Sequence, residues 1–87
     1  MENRMQTLYI FRLSTAKAFF TASTDRTGRN LPGNQLEGEW LHVGDITTAQ
    51  LPDLVYNANE ANPALAERGF FHLERKHWKD EGFFARL

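Results

Sequence analysis

The feature that most constrains this chain is a nearly continuous apolar run at residues 6–13, which reads QTLYIFRL. Tyr, Ile and Phe favour extended structure. Side chains alternate between the two faces of a strand, so Leu8 and Ile10 share one face, and Tyr9 and Phe11 lie with Leu13 on the other. Because both faces are apolar, the run predicts a strand that is buried on both sides and therefore central in a sheet.

Two further strands are predicted on either side of a long loop. After the turn STAK, residues 18–23 (AFFTAS) are expected to pair back on the first strand as a hairpin. A helix beginning at Ser14 is the alternative, because Ala and Lys are good helix formers. Residues 24–38 contain four Gly or Pro positions and little periodicity, which predicts a long loop. A short third strand is expected at residues 39–43 (EWLHV).

Two helices are predicted after this strand. Apolar side chains spaced i, i+3, i+4 and i+7 predict a main helix over residues 48–60; they are Leu51, Leu54, Val55 and Ala58. Pro52 should lie in its first turn, because proline inside a helix removes a hydrogen bond and clashes with the preceding turn. The segment NPALAERG at residues 62–69 predicts a short helix with Asn62 as N-cap and Gly69 as stop.

The end of the chain is predicted to add a fourth strand and a docked tail. Residues 70–78 (FFHLERKHW) alternate as in a strand. The tail holds Phe83, Phe84 and Leu87, and so many apolar residues should dock on the core or on a partner. The order of elements predicts an α+β fold, with a small, mostly antiparallel sheet of three to four strands and one main and one short helix on one face. We expect residues 1–87 to form a single compact domain.

The composition excludes several classes of function. The chain of 87 residues has no cysteine, which excludes disulfide scaffolds, thiolate zinc sites and thiol catalysis. Its first residues, MENRMQTLYIFRL, lack the long apolar stretch of a signal peptide. No run approaches the roughly 18–20 apolar residues that span a bilayer. We therefore expect a cytoplasmic protein with no membrane partner.

The net charge is −1, but the charges are distributed unevenly. Residues 1–30 carry +3, residues 31–67 carry −6 with no Lys or Arg, and residues 68–87 carry +2. Such asymmetry predicts polarised surfaces. Acids also favour the first turns of helices, which explains part of the pattern. The remainder predicts an acidic docking face for a basic partner or for a second copy of this chain, formed by Asp45, Asp53, Glu60 and Glu67.

The loop at residues 24–33 (TDRTGRNLPG) is the strongest candidate for anion contact. Gly28 and Gly33 have the spacing of a P-loop, but Asn and Gln follow where that motif requires Lys and Ser or Thr. Nucleotide binding of the P-loop type is therefore not expected. Arg26 and Arg29 flank the first glycine and could still hold a phosphate or carboxylate. The alternative is an ordinary polar turn.

A second basic segment, FFHLERKHWK, interleaves aromatic and basic side chains, as single-strand nucleic-acid binders do. Its alternative is a buried set of Phe side chains with charges around the rim. The slightly acidic net charge also differs from the basic footprint of most nucleic-acid-binding domains. Together with the loop, this segment predicts six residues for contact with an anion or a partner, which are Arg26, Arg29, Arg75, Lys76, Trp78 and Lys79.

No catalytic constellation is indicated. Ser14 and Ser23 are the only serines, and neither lies in a G-x-S-x-G elbow. His72 and Glu74 would share a strand face, and His42 could join them in a small-ligand or metal site; a solvated strand edge is the alternative. We expect no catalytic residue, no metal and no cofactor.

The expected function is accordingly a non-enzymatic protein-interaction module, able to self-associate as a homodimer. The alternative is a protein that binds single-stranded nucleic acid through its basic and aromatic residues.

Overall fold

The structure, a computed structural model, describes residues 6–31 and 38–87. Within these residues the chain forms a four-stranded antiparallel sheet with short helices packed on one face, which confirms the α+β class. The strands are β1 (Thr7–Leu13), β2 (Ala16–Ser23), β3 (Trp40–Thr47) and β4 (Phe70–Leu73). The helices are α1 (Leu51–Leu54), α2 (Ala61–Arg68) and α3 (Glu81–Ala85). None of the helices in the described residues is long and apolar enough to cross a membrane.

The strand order is β3-β1-β2-β4, so β1 lies inside the sheet as predicted. Leu8 and Ile10 are fully buried on the face that carries the helices. Phe11 and Leu13 are also buried on the opposite face, at 4% exposure each. The prediction of a strand buried on both sides is therefore confirmed, and the predicted hairpin with β2 forms in place of a helix at Ser14.

The loop after β2 supplies the cover on this second face. Gly28 has φ +74, and a Cβ added there would lie 3.1 Å from the Phe11 ring, so only glycine allows the loop to approach so closely. Leu31 is buried beside it. The Asp25 carboxylate accepts hydrogen bonds from the Thr27 amide and hydroxyl, and these hold the pKa of Asp25 below its ordinary value. The loop sequence also predicts that Leu31 and Pro32 pin this segment to the core; Pro32, with the rest of residues 32–37, lies outside the described residues.

The predicted main helix over residues 48–60 is wrong. A 3₁₀ turn (Thr48–Gln50) leads into α1, with Pro52 in its first turn, but the helix ends at Leu54. Val55 is extended, with φ −137 and ψ 151, and pairs with Trp78 in an antiparallel bridge. The bridge supplies the hydrogen bonds that a continued helix would have made, because Tyr56 N–H donates to the His77 carbonyl at 2.8 Å.

The short second helix is shifted from its prediction. A second 3₁₀ turn (Ala58–Glu60) runs directly into α2, so Glu60 is the N-cap and Asn62 lies inside the helix. The predicted stop is confirmed, because Gly69 takes a left-handed conformation with φ +84.

The third and fourth strands also differ from their predicted lengths. β3 continues through Gly44 and Asp45, because a bulge at Val43 resets the alternation and Ile46 again faces the core. β4 ends at Leu73, and the predicted strand over residues 70–78 is wrong beyond that point. A 3₁₀ turn (Arg75–His77) follows, and Trp78 turns inward to donate its indole N–H to the Leu73 carbonyl at 2.9 Å.

The C-terminal tail docks on the core, which was predicted as the alternative to docking on a partner. Phe84 in α3 is 2% exposed and stacks on Trp78 with a centroid distance of 4.4 Å and an interplanar angle of 4°. Its ring also lies 5.6 Å from that of Phe20 on β2. The tail therefore closes the end of the core between the sheet and the short helices.

Candidate functional site

An open groove of about 520 Å³ lies beside α1, on the helical side of the sheet. We call it the Tyr56 groove; it is lined by Thr48, Leu51, Pro52, Val55, Tyr56, Ala58, Asn59, Asn62 and Lys79. Its floor includes Leu51 and Val55, which are 2% and 1% exposed. The Tyr56 side chain, in contrast, is 70% exposed. The groove thus combines an apolar floor with an exposed aromatic ring.

The groove follows from the break in the predicted helix. The bridge between Val55 and Trp78 holds the chain extended after α1. The backbone N–H of Lys79 donates to the Leu54 carbonyl at 2.7 Å, so a second hydrogen bond joins the end of α1 to the segment that follows Trp78. A continuous helix would instead have kept residues 55–58 on the surface of a single cylinder.

Lys79 contacts the exposed aromatic ring. Its ammonium donates to the Pro52 carbonyl at 3.0 Å and lies 5.4 Å from the centroid of the Tyr56 ring. Such an exposed cation–π contact contributes on the order of 0.5–1 kcal/mol. The Lys79 charge is therefore engaged by groups of the protein at the edge of the groove.

Acidic side chains flank the groove. Asp53 follows Pro52, and Glu60 follows Asn59; both acids are exposed. Asp80 follows Lys79 and accepts a hydrogen bond from the Phe83 amide at the start of α3. Among the described residues that line the groove or adjoin its lining in sequence, there are three carboxylates and one ammonium, so the local charge is negative.

The predicted acidic docking face is placed on two sides of the molecule. Asp53, Glu60 and Glu67 lie in α1, the following 3₁₀ turn and α2, on the helical side. Asp45 lies on β3 opposite Tyr9, whose side chain points to the other face. There its carboxylate lies 2.6 Å from His42 Nε2, in a hydrogen-bonded pair.

The six predicted anion or partner contacts lie in two groups, near the two ends of β4. Arg26 and Arg29 belong to the loop that lies against Gly69, where Asn30 donates to the Gly69 carbonyl at 2.9 Å. The other four follow the opposite end of β4, a strand of four residues that spans about 13 Å. Arg75, Lys76, Trp78 and Lys79 are therefore separated from the loop by the whole length of this strand.

Trp78 is engaged within the protein. Its ring stacks on Phe84, and the Arg75 guanidinium lies 5.9 Å from its centroid. Lys76 is 72% exposed and lies 3.5 Å from the Glu74 carboxylate. Within this predicted contact set, Lys79 is the residue that lines the groove.

The structure does not bring His42, His72 and Glu74 together. The two histidines lie on β3 and β4, the outer strands of the four, so three strand spacings of about 4.8 Å separate them. His72 Nδ1 lies 2.7 Å from the Thr21 hydroxyl. Burial lowers the pKa of His72, the Arg68 guanidinium lowers it further, and Glu74 opposes this shift. No group of three or more potential metal ligands occurs in the described part of the chain.

The sequence interpretation missed the Tyr56 groove because it placed residues 48–60 in one helix. The only signal was Tyr56 itself, a large aromatic residue that directly follows Val55 and does not belong to the apolar stripe of that helix. Searches of protein-family models, of curated proteins and of solved structures found no match to this chain.

Proposed function

We propose that this protein is a non-enzymatic protein-interaction module that receives a partner segment in the Tyr56 groove. The observation that carries the proposal is the exposed Tyr56 ring beside the buried floor formed by Leu51 and Val55. Tyrosine is enriched among the residues that dominate interface energetics. A volume of about 520 Å³ also lies within the range of sites that hold a ligand or a few side chains.

The chemistry of the groove favours binding over catalysis. Its described lining contains apolar, amide and hydroxyl groups and one ammonium, without a nucleophile paired to a base. The carboxylates of Asp53 and Glu60, which adjoin the lining in sequence, argue against the alternative of nucleic-acid binding, because they would repel phosphates.

Self-association is the second part of the expected function. The apolar tail is one argument for self-association, but Phe84 is buried in the core of its own chain and is not available to a partner. We therefore base the proposal on the groove and treat a second copy of this chain as one possible source of the partner segment. Sedimentation equilibrium over a range of concentrations separates the two cases, because a homodimer dissociates on dilution.

Site-specific crosslinking tests the proposed function. A benzophenone amino acid in place of Tyr56 would be activated in an extract of the source cells, with the same group in place of His42 as the control. His42 is also exposed but lies on the opposite face of the sheet. We expect protein adducts at position 56 and few at position 42. The absence of adducts at position 56, or equal adducts at both, contradicts the proposal.

A further inference from the structure

We infer that the partner segment in the Tyr56 groove is an extended, basic peptide; this rests on the proposed function and adds the class of ligand. Two features of the groove lead to this class. One is a pair of amide side chains along its wall, and the other is the excess of carboxylates around it.

The amide pair is spaced for an extended backbone. Asn59 and Asn62 are three residues apart in the continuous helical run formed by the 3₁₀ turn and α2, and both line the groove. Side chains three apart on a helical surface lie one above the other, with Cβ atoms about 5–6 Å apart. An extended chain presents equivalent backbone groups to one side every two residues, which is about 6.6 Å. The two spacings agree closely enough for both amides to contact one bound strand.

Each amide also suits the chemistry of a peptide bond. An Asn side chain has one carbonyl acceptor and two N–H donors, the complement of a backbone N–H and C=O. A bound helix would already have satisfied its own backbone groups internally. The exposed amides of Asn59 and Asn62 would then gain no backbone partners, so an extended segment fits the groove better.

The floor and the flanking charges define the side chains of the peptide. Pro52 and the Tyr56 ring, which are both exposed in the lining, offer an apolar surface for one apolar side chain of the peptide. Asp53 and Glu60 stand beside this surface, where basic side chains before or after the apolar one would be attracted. The single ammonium in the lining, on Lys79, is occupied by the Pro52 carbonyl and the Tyr56 ring. An acidic peptide would meet this one cation among the carboxylates of Asp53, Glu60 and Asp80.

A peptide-display selection tests this inference. The probe is a library of random dodecapeptides selected on the immobilised full chain, after which the most enriched peptide is synthesised with a fluorophore and titrated by anisotropy. We expect the enriched peptides to carry a net positive charge around an apolar residue. Tyr56→Ala and Asn62→Ala should each weaken binding about tenfold or more, because they remove the aromatic wall and a backbone contact.

A charge-matched comparison decides whether the acids act through the groove. The double variant Asp53→Asn/Glu60→Gln should weaken binding about 2- to 10-fold, as expected for two exposed charge pairs. Asp45→Asn removes a carboxylate on the opposite face of the sheet and should leave affinity nearly unchanged. Circular dichroism of each variant verifies that it is folded.

The result that overturns the inference is distinct from the result that overturns the proposed function. Enrichment of acidic or neutral peptides, equal effects of the groove and Asp45 variants, or no enrichment at all would each overturn the basic-peptide inference. Adducts at position 56 in the crosslinking experiment would then still support a protein partner of another kind. The absence of adducts at position 56, together with the absence of enriched basic peptides, would overturn both the proposed function and the basic-peptide inference.

Discussion

Replacing Phe84 with alanine should cost about 4 kcal/mol of the free energy of unfolding. The Phe84 ring is 2% exposed, stacks on Trp78 at 4.4 Å and lies 5.6 Å from the Phe20 ring. Truncation of a buried Phe to Ala typically costs about 3–5 kcal/mol, which includes the cavity that remains. A stacked aromatic pair contributes about 0.5–1.5 kcal/mol beyond its buried area, which places Phe84 in the upper half of this range.

This cost is large for a chain of 87 residues. At about 0.05–0.15 kcal/mol per residue, the whole chain should have a stability of roughly 4–13 kcal/mol. A loss of about 4 kcal/mol would lower the unfolding temperature by roughly 15–30 °C. The variant should therefore be strongly destabilised although Phe84 lies in a tail, close to the last residue of the chain.

Urea unfolding followed by far-ultraviolet circular dichroism measures the effect. This signal is preferable to fluorescence because the substitution changes the surroundings of Trp78. Phe83→Ala is the neighbouring control, since Phe83 is only partly buried against the core and should cost about 1–2 kcal/mol. A loss below about 1 kcal/mol for Phe84→Ala, with an unchanged urea dependence, would refute the assignment of the tail to the core.

Three further outcomes follow from glycine conformation and histidine burial. Gly69→Ala should cost at least about 1–2 kcal/mol in urea unfolding, because Gly69 has φ +84 and an added Cβ would collide with the Asn30 amide. Gly82→Ala within α3 should instead stabilise the folded protein by about 0.5–1 kcal/mol, because the nearest atom to its Cβ would be 3.5 Å away. Equal effects of the two glycine substitutions on the free energy of unfolding would contradict this reasoning. The folded-state pKa of His72 lies below its ordinary value of 6.5, so the unfolded chain binds the proton first and stability should fall as pH drops through 6.5. Urea midpoints measured on either side of this pH should show a smaller fall for His72→Gln, and an identical fall would count against the pKa shift.

Several features of the fold could be predicted because they depend on residues close together in sequence. The apolar run around Ile10 has no polar face, so the strand that contains it must lie inside the sheet. Gly69 ends α2 because a left-handed residue costs glycine little. The turn at Asp25 and Gly28 forms through hydrogen bonds within a few residues, and glycine readily takes the positive φ found there.

The candidate site depended on residues far apart in sequence. The spacing of Leu51, Leu54 and Val55 indicates only that these side chains are buried together, and a short helix followed by an extended residue buries them equally well. The backbone at Val55 could make helical hydrogen bonds or pair with the segment at Trp78, and these bonds are similar in strength. Val55 pairs with Trp78 because Trp78 is held in the core by Phe84 and by a hydrogen bond to the Leu73 carbonyl.

By itself, then, the sequence determined the fold class, the central strand, the C-terminal stop of α2 and the local turn chemistry. Only the tertiary structure decided that Tyr56 would stand exposed over a groove and that Trp78 would be engaged in the core. The same packing left Lys79 at the groove and the loop with Arg26 at the far end of β4. The physical reason is that the periodicity of a sequence indicates which side chains are buried, but not which groups their backbone bonds to. The backbone N–H and C=O groups can form hydrogen bonds of similar strength with several parts of the chain, so their partners depend on the tertiary structure.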